Sequence, residues 1–273
     1  MIVIVAILAF AIMSTSNVIN PQSTIRIENV GEFEIDPSGI ERQRADVFAH
    51  GQISIFDVLV DLDRRGEISM TYHYDEELET HVIDSLNGKK HWWYQAYYDG
   101  GWLENNNWRI DLFPYKDKMY IQVFHTNSGH IEALHDSFRT QVERRDANGG
   151  TVMVETVRIR APGINHVFHD VHVTPHDLRD DALKEGTVTA IDVIMSLGDQ
   201  GRITYETTWY EEIAGSEVKT YFVTSIDGQA AHGRCGYVYE VGEENMYANH
   251  IHIPMDMRVL TSPEYFEMFW ICL

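Results

Sequence analysis

The sequence predicts an α+β fold of two tandem domains, each a mixed or antiparallel sheet crossed by one helix. Three observations predict it. One stretch of the 273-residue chain occurs twice, apolar residues in both copies change between helical and strand spacing in the same order, and turn dipeptides follow at matching places. A repeated unit of this length indicates two modules, and each copy is long enough to bury its own core.

The repeated stretch is Gly51–Ile68, which aligns without gaps with Gly186–Ile203. Six positions are identical, at the pairs Gly51/Gly186, Asp57/Asp192, Val58/Val193, Leu62/Leu197, Gly66/Gly201 and Ile68/Ile203. Further along, Pro114 is expected opposite Pro254. Matches in the same order over this distance indicate two copies of one unit.

Each copy contains one predicted helix. The apolar face of the first consists of Ile55, Phe56, Val58, Leu59 and Leu62. Ser54 and Thr189 precede the two faces, and Gly66 and Gly201 follow them. Because Ser and Thr favour the N-cap and Gly favours the position after the last turn, we predict that a helix lies between each pair.

Strand periodicity surrounds both helices. The alternating segments before the helices are 25–35, 152–160 and 167–173, and those after them are 68–74, 81–86, 119–124, 203–210, 220–226 and 265–271. Turn signals at Asn87-Gly88 and Asp227-Gly228 separate the later strands. The resulting order, β-β-α-β-β-β, is typical of β-grasp-like domains.

The polar segment Asn127–Gly150 lies between the two copies and ends in an Asn-Gly-Gly sequence. Such clusters favour connections, so the segment is expected to hold the domain linker. We place a first β-grasp-like domain at 21–145 and a second at 150–273. Residues 1–20 are expected to form a hydrophobic leader.

The same residues show a family resemblance. Gly51–Leu62, Asn87-Gly88, Trp92-Trp93-Tyr94 and Lys118–Phe124 together resemble the domain of unknown function 4430, with weaker counterparts in the second copy. That family is similar to the C-terminal domain of transcobalamin and to the SLBB-like β-grasp group. The second copy departs from the pattern at Gly236-Tyr237, where the tryptophans would stand. The resemblance implies an exported, non-enzymatic ligand-binding or adhesive module and names no ligand.

The leader contains the apolar run Ile2–Met13, which is shorter than the ~20 residues that a helix needs to cross a bilayer. It fits the apolar part of a secretory signal, although the basic residues that open such a signal are missing. A short anchor or a packed structural segment is the alternative. We therefore expect a secreted or cell-surface protein, with membrane contact only through the leader if it stays uncleaved.

The formal net charge of −21 excludes nucleic-acid binding, because contact with phosphates requires a basic face. The charge suits an exported protein or one adapted to salt, and a well-solvated surface is the simpler explanation. The only cysteines, Cys235 and Cys272, both lie in the second copy. They form either one disulfide or two buried thiols.

The 14 histidines are unevenly placed. The candidate metal ligands are His250 and His252 together with His166, His169, His172 and His176. Residues two apart on a strand share a face, so His250 and His252 could bind one divalent ion, with Cys235 or His232 as additional ligands. Imidazole suits zinc and copper, and nearby methionines favour copper. Histidines held by hydrogen bonds or lying at the surface are the alternative.

An aromatic segment follows the first turn signal, from His91 to Trp102. Trp92, Tyr98 and Trp102 are candidate ligand-binding residues, because aromatic faces beside polar groups bind sugars and other small ligands. Trp93 and Tyr97 are expected in the core, since strands favour aromatic residues without any ligand.

The sequence contains no nucleophile elbow, phosphate-binding loop or dinucleotide fingerprint, so we expect a non-enzymatic role. The leading prediction is a cell-surface or extracellular binding and assembly protein, which self-associates through sheet edges or its N-terminal segment and carries a histidine metal site in the second domain. A soluble small-ligand or carbohydrate-binding protein that uses the aromatic strand is the first alternative. A metalloenzyme is the other.

Overall fold

The structure is a computed structural model, and it describes residues 23–97, 104–105, 107–213, 215–246 and 253–272. The helices of this part of the chain are α1 (Ile55–Arg64), α2 (Ser128–Ala147) and α3 (Ala190–Asp199). The strands before α2 are β1 (Thr24–Ile27), β2 (Gly31–Glu34), β3 (Met70–Asp75), β4 (Thr80–Leu86), β5 (Trp92–Tyr97), β6 (Glu104–Asn105) and β7 (Tyr120–His125). Those after α2 are β8 (Met153–Ala161), β9 (Ile164–His172), β10 (Tyr205–Ile213), β11 (Ser216–Ile226), β12 (Gln229–Ala230), β13 (Cys235–Gly242) and β14 (Tyr265–Cys272).

Two larger sheets and two hairpins organise these strands. The first sheet has the order β2-β1-β7-β5-β6 and the second the order β13-β14-β8-β9. In each sheet the first strand of the unit pairs in parallel with the last, β1 with β7 and β8 with β14. The hairpins are β3-β4 and β10-β11-β12. The fold is therefore α+β with mixed sheets.

The order of elements is the same in residues 24–125, which we call the first half, and residues 153–272, which we call the second half. Each half runs through two strands, a helix, a hairpin and the closing strands, and α1 and α3 lie where the apolar spacing predicted them. The expected match of Pro114 with Pro254 is wrong. Pro114 forms a β-bridge with Ser54, and Thr189 forms the equivalent bridge with Val259, because the chain between helix and closing strand is longer in the second half.

The predicted helices begin with the same cap. The backbone N–H and the Oγ of Ser54 donate to Asp57 over 2.6 and 2.8 Å, and Thr189 donates to Asp192 over the same distances. Each aspartate also accepts a backbone N–H from the loop before its helix. Because these side chains satisfy donors that a helix start leaves free, the caps fix both helix starts to the preceding loops.

The segment that we predicted as the domain linker is largely the 20-residue helix α2. Only Leu134, Ser137, Phe138 and Val142 of this helix are buried, so its apolar face is narrow and its sequence resembles a polar connection. Arg144, in the last turn, pairs with Glu243 of the second half at 3.1 Å. The helix therefore connects the halves and also packs against them.

The halves meet through equivalent residues. Phe48 and Leu183 form an antiparallel bridge, in which the N–H of Ala49 donates to Ala182 over 2.9 Å and the N–H of Lys184 donates to Val47 over 2.8 Å. The core of the first half includes second-half residues, namely Ala182, Leu183, Ile253, Met257 and Val259. The shared core makes the two halves one packed body.

The second half carries a disulfide between Cys235 and Cys272, which face each other on β13 and β14. This settles the alternative that the sequence left open in favour of the bridge. It also corrects the suggestion that Cys235 could bind a metal, because a bridged sulfur is no thiolate. The leader at 1–20 lies outside the described residues, and none of the described helices is long and apolar enough to cross a membrane.

Candidate functional site

The most elaborate polar arrangement of the first half surrounds the Asp111 carboxylate, which is fully buried. It accepts hydrogen bonds from Arg44 Nη1 at 3.0 Å, Thr80 Oγ1 at 2.6 Å and the His81 backbone N–H at 2.9 Å, and His81 Nδ1 lies at 2.9 Å. Arg44 also pairs with Asp46 at 2.8 Å. The arrangement ties the loop before α1 to the β3-β4 hairpin and to the segment before β7.

The second half contains the same arrangement around Asp256. Arg179 Nη1 donates to this carboxylate over 3.2 Å, Thr220 Oγ1 over 2.5 Å and the Tyr221 backbone N–H over 2.9 Å. Arg179 pairs with Asp181 at 2.8 Å. We call the two arrangements the aspartate networks. Because buried carboxylates need paired charges and hydrogen bonds, these networks are structural supports for the loops around them.

The aspartate networks differ in the pKa of their buried carboxylates, and His81 in the first network is replaced by Tyr221 in the second. Burial raises the pKa of Asp111, but the hydrogen bond from His81 and the charge of Arg44 outweigh it and hold the pKa below its ordinary value. In the second half Tyr221 stands in the place of His81. Burial raises the pKa of Asp256 above its ordinary value, and the charge of Arg179 does not offset it. The histidine ring is the group that the second network lacks.

The aspartate networks were missed from the sequence, although a signal exists. The pattern Arg-x-Asp occurs at 44–46 and at 179–181, each seven residues before the glycine that opens the aligned stretch. Extending the repeat upstream would have found both arginines. Their aspartate partners lie 67 and 77 residues further along the chain, where no periodic pattern marks them.

The predicted histidine cluster is spread over β9 and the loop that follows. His166 Nε2 lies 2.8 Å from Asp227, His172 Nδ1 lies 3.4 Å from Asn148, and His169 is exposed on the strand. These three side chains therefore have separate surroundings.

His176 is held between two carboxylates of α3, with Nδ1 2.9 Å from Asp192 and Nε2 2.9 Å from Asp199. Burial lowers its pKa, but the hydrogen bonds to Asp199 and Asp192 outweigh this and raise the pKa above the ordinary value. The ring therefore links the first turn of α3 to its last residue.

His250 and His252 lie outside the described residues. Within the part of the chain that is described, no three His, Cys, Asp or Glu side chains are close enough to hold a metal ion. The predicted copper or zinc site therefore stays a prediction, and it depends on His250 and His252.

The aromatic strand borders a cavity of about 200 Å³ in the first half, between β4, β5 and α2. Trp92 and Trp93 contribute to its wall, and both indoles are largely buried. The Trp92 Nε1–H donates to the Lys89 carbonyl over 2.9 Å. Tyr98 and Trp102, the other candidate ligand-binding residues, lie outside the described residues.

A second cavity, of about 350 Å³, lies between the halves, and we call it the interhalf cleft. Its first-half wall includes Tyr115, Lys116 and Lys118, and its second-half wall includes Glu217 and Lys219. Only this cleft of the two reaches the ~300 Å³ at which small-molecule sites usually begin.

The outer strand of the second sheet is open. Within the described residues β9 pairs only with β8, and five of its nine residues are exposed. Val167 on this strand is 50% exposed. On the β10-β11 hairpin, Tyr210 and Phe222 are exposed side by side, with ring centroids 5.6 Å apart. The second half therefore presents backbone hydrogen-bonding groups and apolar side chains at its surface.

No protein-family model matches this chain, and no curated protein matches it. The resemblance to the domain of unknown function 4430 therefore stays a prediction, carried by the residues named above. The function has to be argued from the geometry of the cavities, the aspartate networks and the open strand.

Proposed function

We propose that this protein is an exported, non-enzymatic binding and assembly protein of two tandem β-grasp-like domains. It works outside the cell or at its surface and associates with further copies of itself through the open edge of the second sheet. Copper or zinc bound through His250 and His252 remains part of the proposal for the second domain.

The observation that carries the proposal is the length and composition of β9. A free edge strand is a template for another strand, and proteins that must avoid this keep such edges short, charged or covered. β9 is nine residues long, and its exposed residues are Asn165, Val167, His169, Asp170 and His172, of which Asp170 is the only carboxylate and Val167 the only apolar one. A second copy that presents its own β9 in antiparallel fashion would complete the hydrogen bonds of both strands.

The β10-β11 hairpin supports the same partner. Tyr210, Ile213 and Phe222 are each more than a third exposed, which places apolar area on a strand pair that also belongs to the second half. Aromatic residues are enriched in protein–protein contacts. The first half exposes only Tyr74 at a comparable level among the described large apolar residues.

The disulfide supports export. Disulfides persist in oxidising compartments and are rare in the reducing cytosol. The Cys235–Cys272 bridge joins the ends of two paired strands and so acts as a structural staple. Together with the apolar leader, it supports a location outside the cytosol.

The test is the mass of the full chain in solution as a function of concentration, measured by light scattering. We expect dimers or larger species that dissociate on dilution, and a single mass, that of the monomer, for Val167→Lys, because a lysine at the centre of an edge strand opposes pairing. Thr140→Lys makes the same charge change on the exposed face of α2 and is expected to leave association unchanged.

Two results would overturn the proposal. One is a wild-type protein that stays monomeric at every concentration. The other is equal association of the wild type and Val167→Lys, which would place the contact elsewhere on the surface. Circular dichroism of both variants shows whether each is folded.

A second candidate function is binding of a small ligand in the first-half cavity, because Trp92 and Trp93 line it. Its volume of about 200 Å³ admits only a compact molecule such as indole. Ile131→Trp would fill the cavity from α2. If the candidate holds, indole raises the melting temperature of the wild type and not of this variant; equal shifts in both would exclude it.

A further inference from the structure

We propose that the interhalf cleft is a binding site for small molecules that carry a carboxylate, such as sugar acids and organic acids. This site is independent of the assembly function and of the β9 edge. It is formed by both halves, with Lys116 and Lys118 on one wall and Lys219 on the other.

The concentration of lysine at the cleft is the first argument. The chain contains six lysines: Lys89, Lys90, Lys116, Lys118, Lys184 and Lys219. Three of the six line the interhalf cleft, although the whole protein carries a net charge of −21. In a strongly acidic protein such a local concentration of lysines attracts anions.

The lysines already stabilise a carboxylate. Lys219 forms an ion pair with Glu217, and Lys116 Nζ donates to the Glu217 carbonyl oxygen. The pKa of Glu217 lies below its ordinary value, chiefly because of the hydrogen bond from Lys219. The charges of Lys219, Lys116 and Lys118 lower it further. The Glu217 carboxylate therefore stands in for the charged group of a ligand, and a ligand carboxylate would compete with it for the same ammonium groups.

The other charged groups at the cleft have partners of their own. Arg179 is committed to Asp181 and Asp256, at 2.8 and 3.2 Å. Asp117 accepts from the Tyr115 hydroxyl over 3.4 Å. The carboxylates whose charges act on Lys219 are Glu217, Glu211 and Asp117.

The cleft also has a wall for the body of the ligand. Tyr115, Pro114, Pro254 and Met257 contribute apolar surface beside the lysines. The backbone N–H of Lys118 donates to Ser23 Oγ over 2.8 Å, which ties the loop that carries this lysine to the residue before β1. A cleft of about 350 Å³ with an apolar wall and positioned cations matches the usual build of a small-molecule site.

The experiment is a titration of the full ¹⁵N-labelled protein with D-glucuronate and, separately, with citrate, followed by amide chemical shifts at low salt. D-glucose is the uncharged control for the sugar body. We expect both acids to shift the amides of 115–118 and 217–219, and glucose to leave them in place. A response to glucuronate alone would assign the site to sugar acids, and a response to citrate alone would assign it to organic acids.

Three variants make the test specific. Lys118→Gln combined with Lys219→Gln is expected to weaken binding at least tenfold, because two of the three cations are removed. Glu217→Gln is expected to strengthen it, because the internal competitor is removed. Lys89→Gln combined with Lys90→Gln makes the same charge change on the β4–β5 turn and should bind like the wild type.

The inference fails if neither acid shifts these amides, if glucose shifts them equally, or if the Lys89→Gln/Lys90→Gln control weakens binding as much as the Lys118→Gln/Lys219→Gln variant. A fall in affinity for Glu217→Gln would also overturn it, since Glu217 would then be part of the binding surface and not a competitor. Each outcome is independent of the mass measurements on Val167→Lys, so the two proposals can fail separately.

Discussion

The two halves of the molecule share their buried frame and differ at their surfaces. Both contain an aspartate network, the same helix cap and a parallel pairing of first and last strands. The outer strand of the first half, β2, has four residues and exposes Glu32 and Glu34, whereas β9 has nine and exposes Val167 together with polar residues and one carboxylate, Asp170. The hairpin is also longer in the second half. The repeated residues therefore maintain the fold, and the parts that differ are where the proposed functions lie.

The largest effects on stability are expected from the aspartate networks, which both halves contain. Asp111→Ala and Asp256→Ala each leave a buried arginine without its interior carboxylate and release the bonds to Thr80 or Thr220. Removing one partner of a buried charge pair costs about 3–5 kcal/mol of unfolding free energy. Chemical denaturation measures this loss, which at neutral pH should be larger for Asp111→Ala, because folding favours the ionised form of Asp111 and disfavours that of Asp256.

Asp136→Ala is the control for both, because this aspartate is an exposed residue of α2. It is expected to change the unfolding free energy by less than about 0.5 kcal/mol. If Asp111→Ala or Asp256→Ala lost as little unfolding free energy as Asp136→Ala, the aspartate network of that half would not support the fold. The two halves would then not share this buried frame.

The second-largest effect on stability is expected from the disulfide, which distinguishes the second half from the first. The Cys235→Ser/Cys272→Ser double variant removes the disulfide, which is confined to the second half. Closing a loop of 37 residues predicts a loss of about 2–4 kcal/mol in unfolding free energy. Hydrogen exchange should accelerate mainly along β13 and β14. Unchanged stability of the wild type in a reducing agent would contradict this.

The sequence predicted the repeated frame well because periodicity reports burial in regular elements. Helices after Ser54 and Thr189 and the strands around them follow from apolar spacing and cap residues. Helix α2 could not be predicted in the same way, since only four of its 20 residues are buried and the rest suit a polar connection. Its docking depends on Arg144 and Glu243, which are 99 residues apart.

The sites were less predictable for a related reason. The interhalf cleft is formed by loops of both halves and by the start of β11, and no local pattern places Lys118 near Lys219. The histidine run was conspicuous in the sequence, yet β9 spreads its side chains along an edge and His176 braces α3. A cluster in sequence becomes a cluster in space only when the local structure folds it onto one point.

The smallest effect concerns the one residue that separates the aspartate networks. In the wild type, acidification should protonate Asp256 before Asp111, because the pKa of Asp256 is raised and that of Asp111 is lowered from the ordinary value of 3.8. Carboxyl ¹³C shifts followed through acid titration measure this order directly. We expect Tyr221→His to lower the pKa of Asp256 and His81→Tyr to raise that of Asp111, so that the double variant reverses the order.

The sign of the stability change follows from the same shifts. Asp111 binds its proton less readily in the folded protein than in the unfolded one. Its contribution to stability is therefore complete above pH 3.8 and is lost as the pH falls through its lowered pKa. Asp256 binds its proton more readily in the folded protein than in the unfolded one. Its contribution to stability is therefore complete below pH 3.8 and is lost as the pH rises through its raised pKa. The hydrogen bond from His81 is worth about 1–2 kcal/mol, and Tyr221→His should therefore stabilise the second half at neutral pH by at most this amount. If the two carboxylates titrate in the same order in the wild type and in the double variant, the histidine does not set the difference between their pKa values, and the difference must come from the other charges around each network.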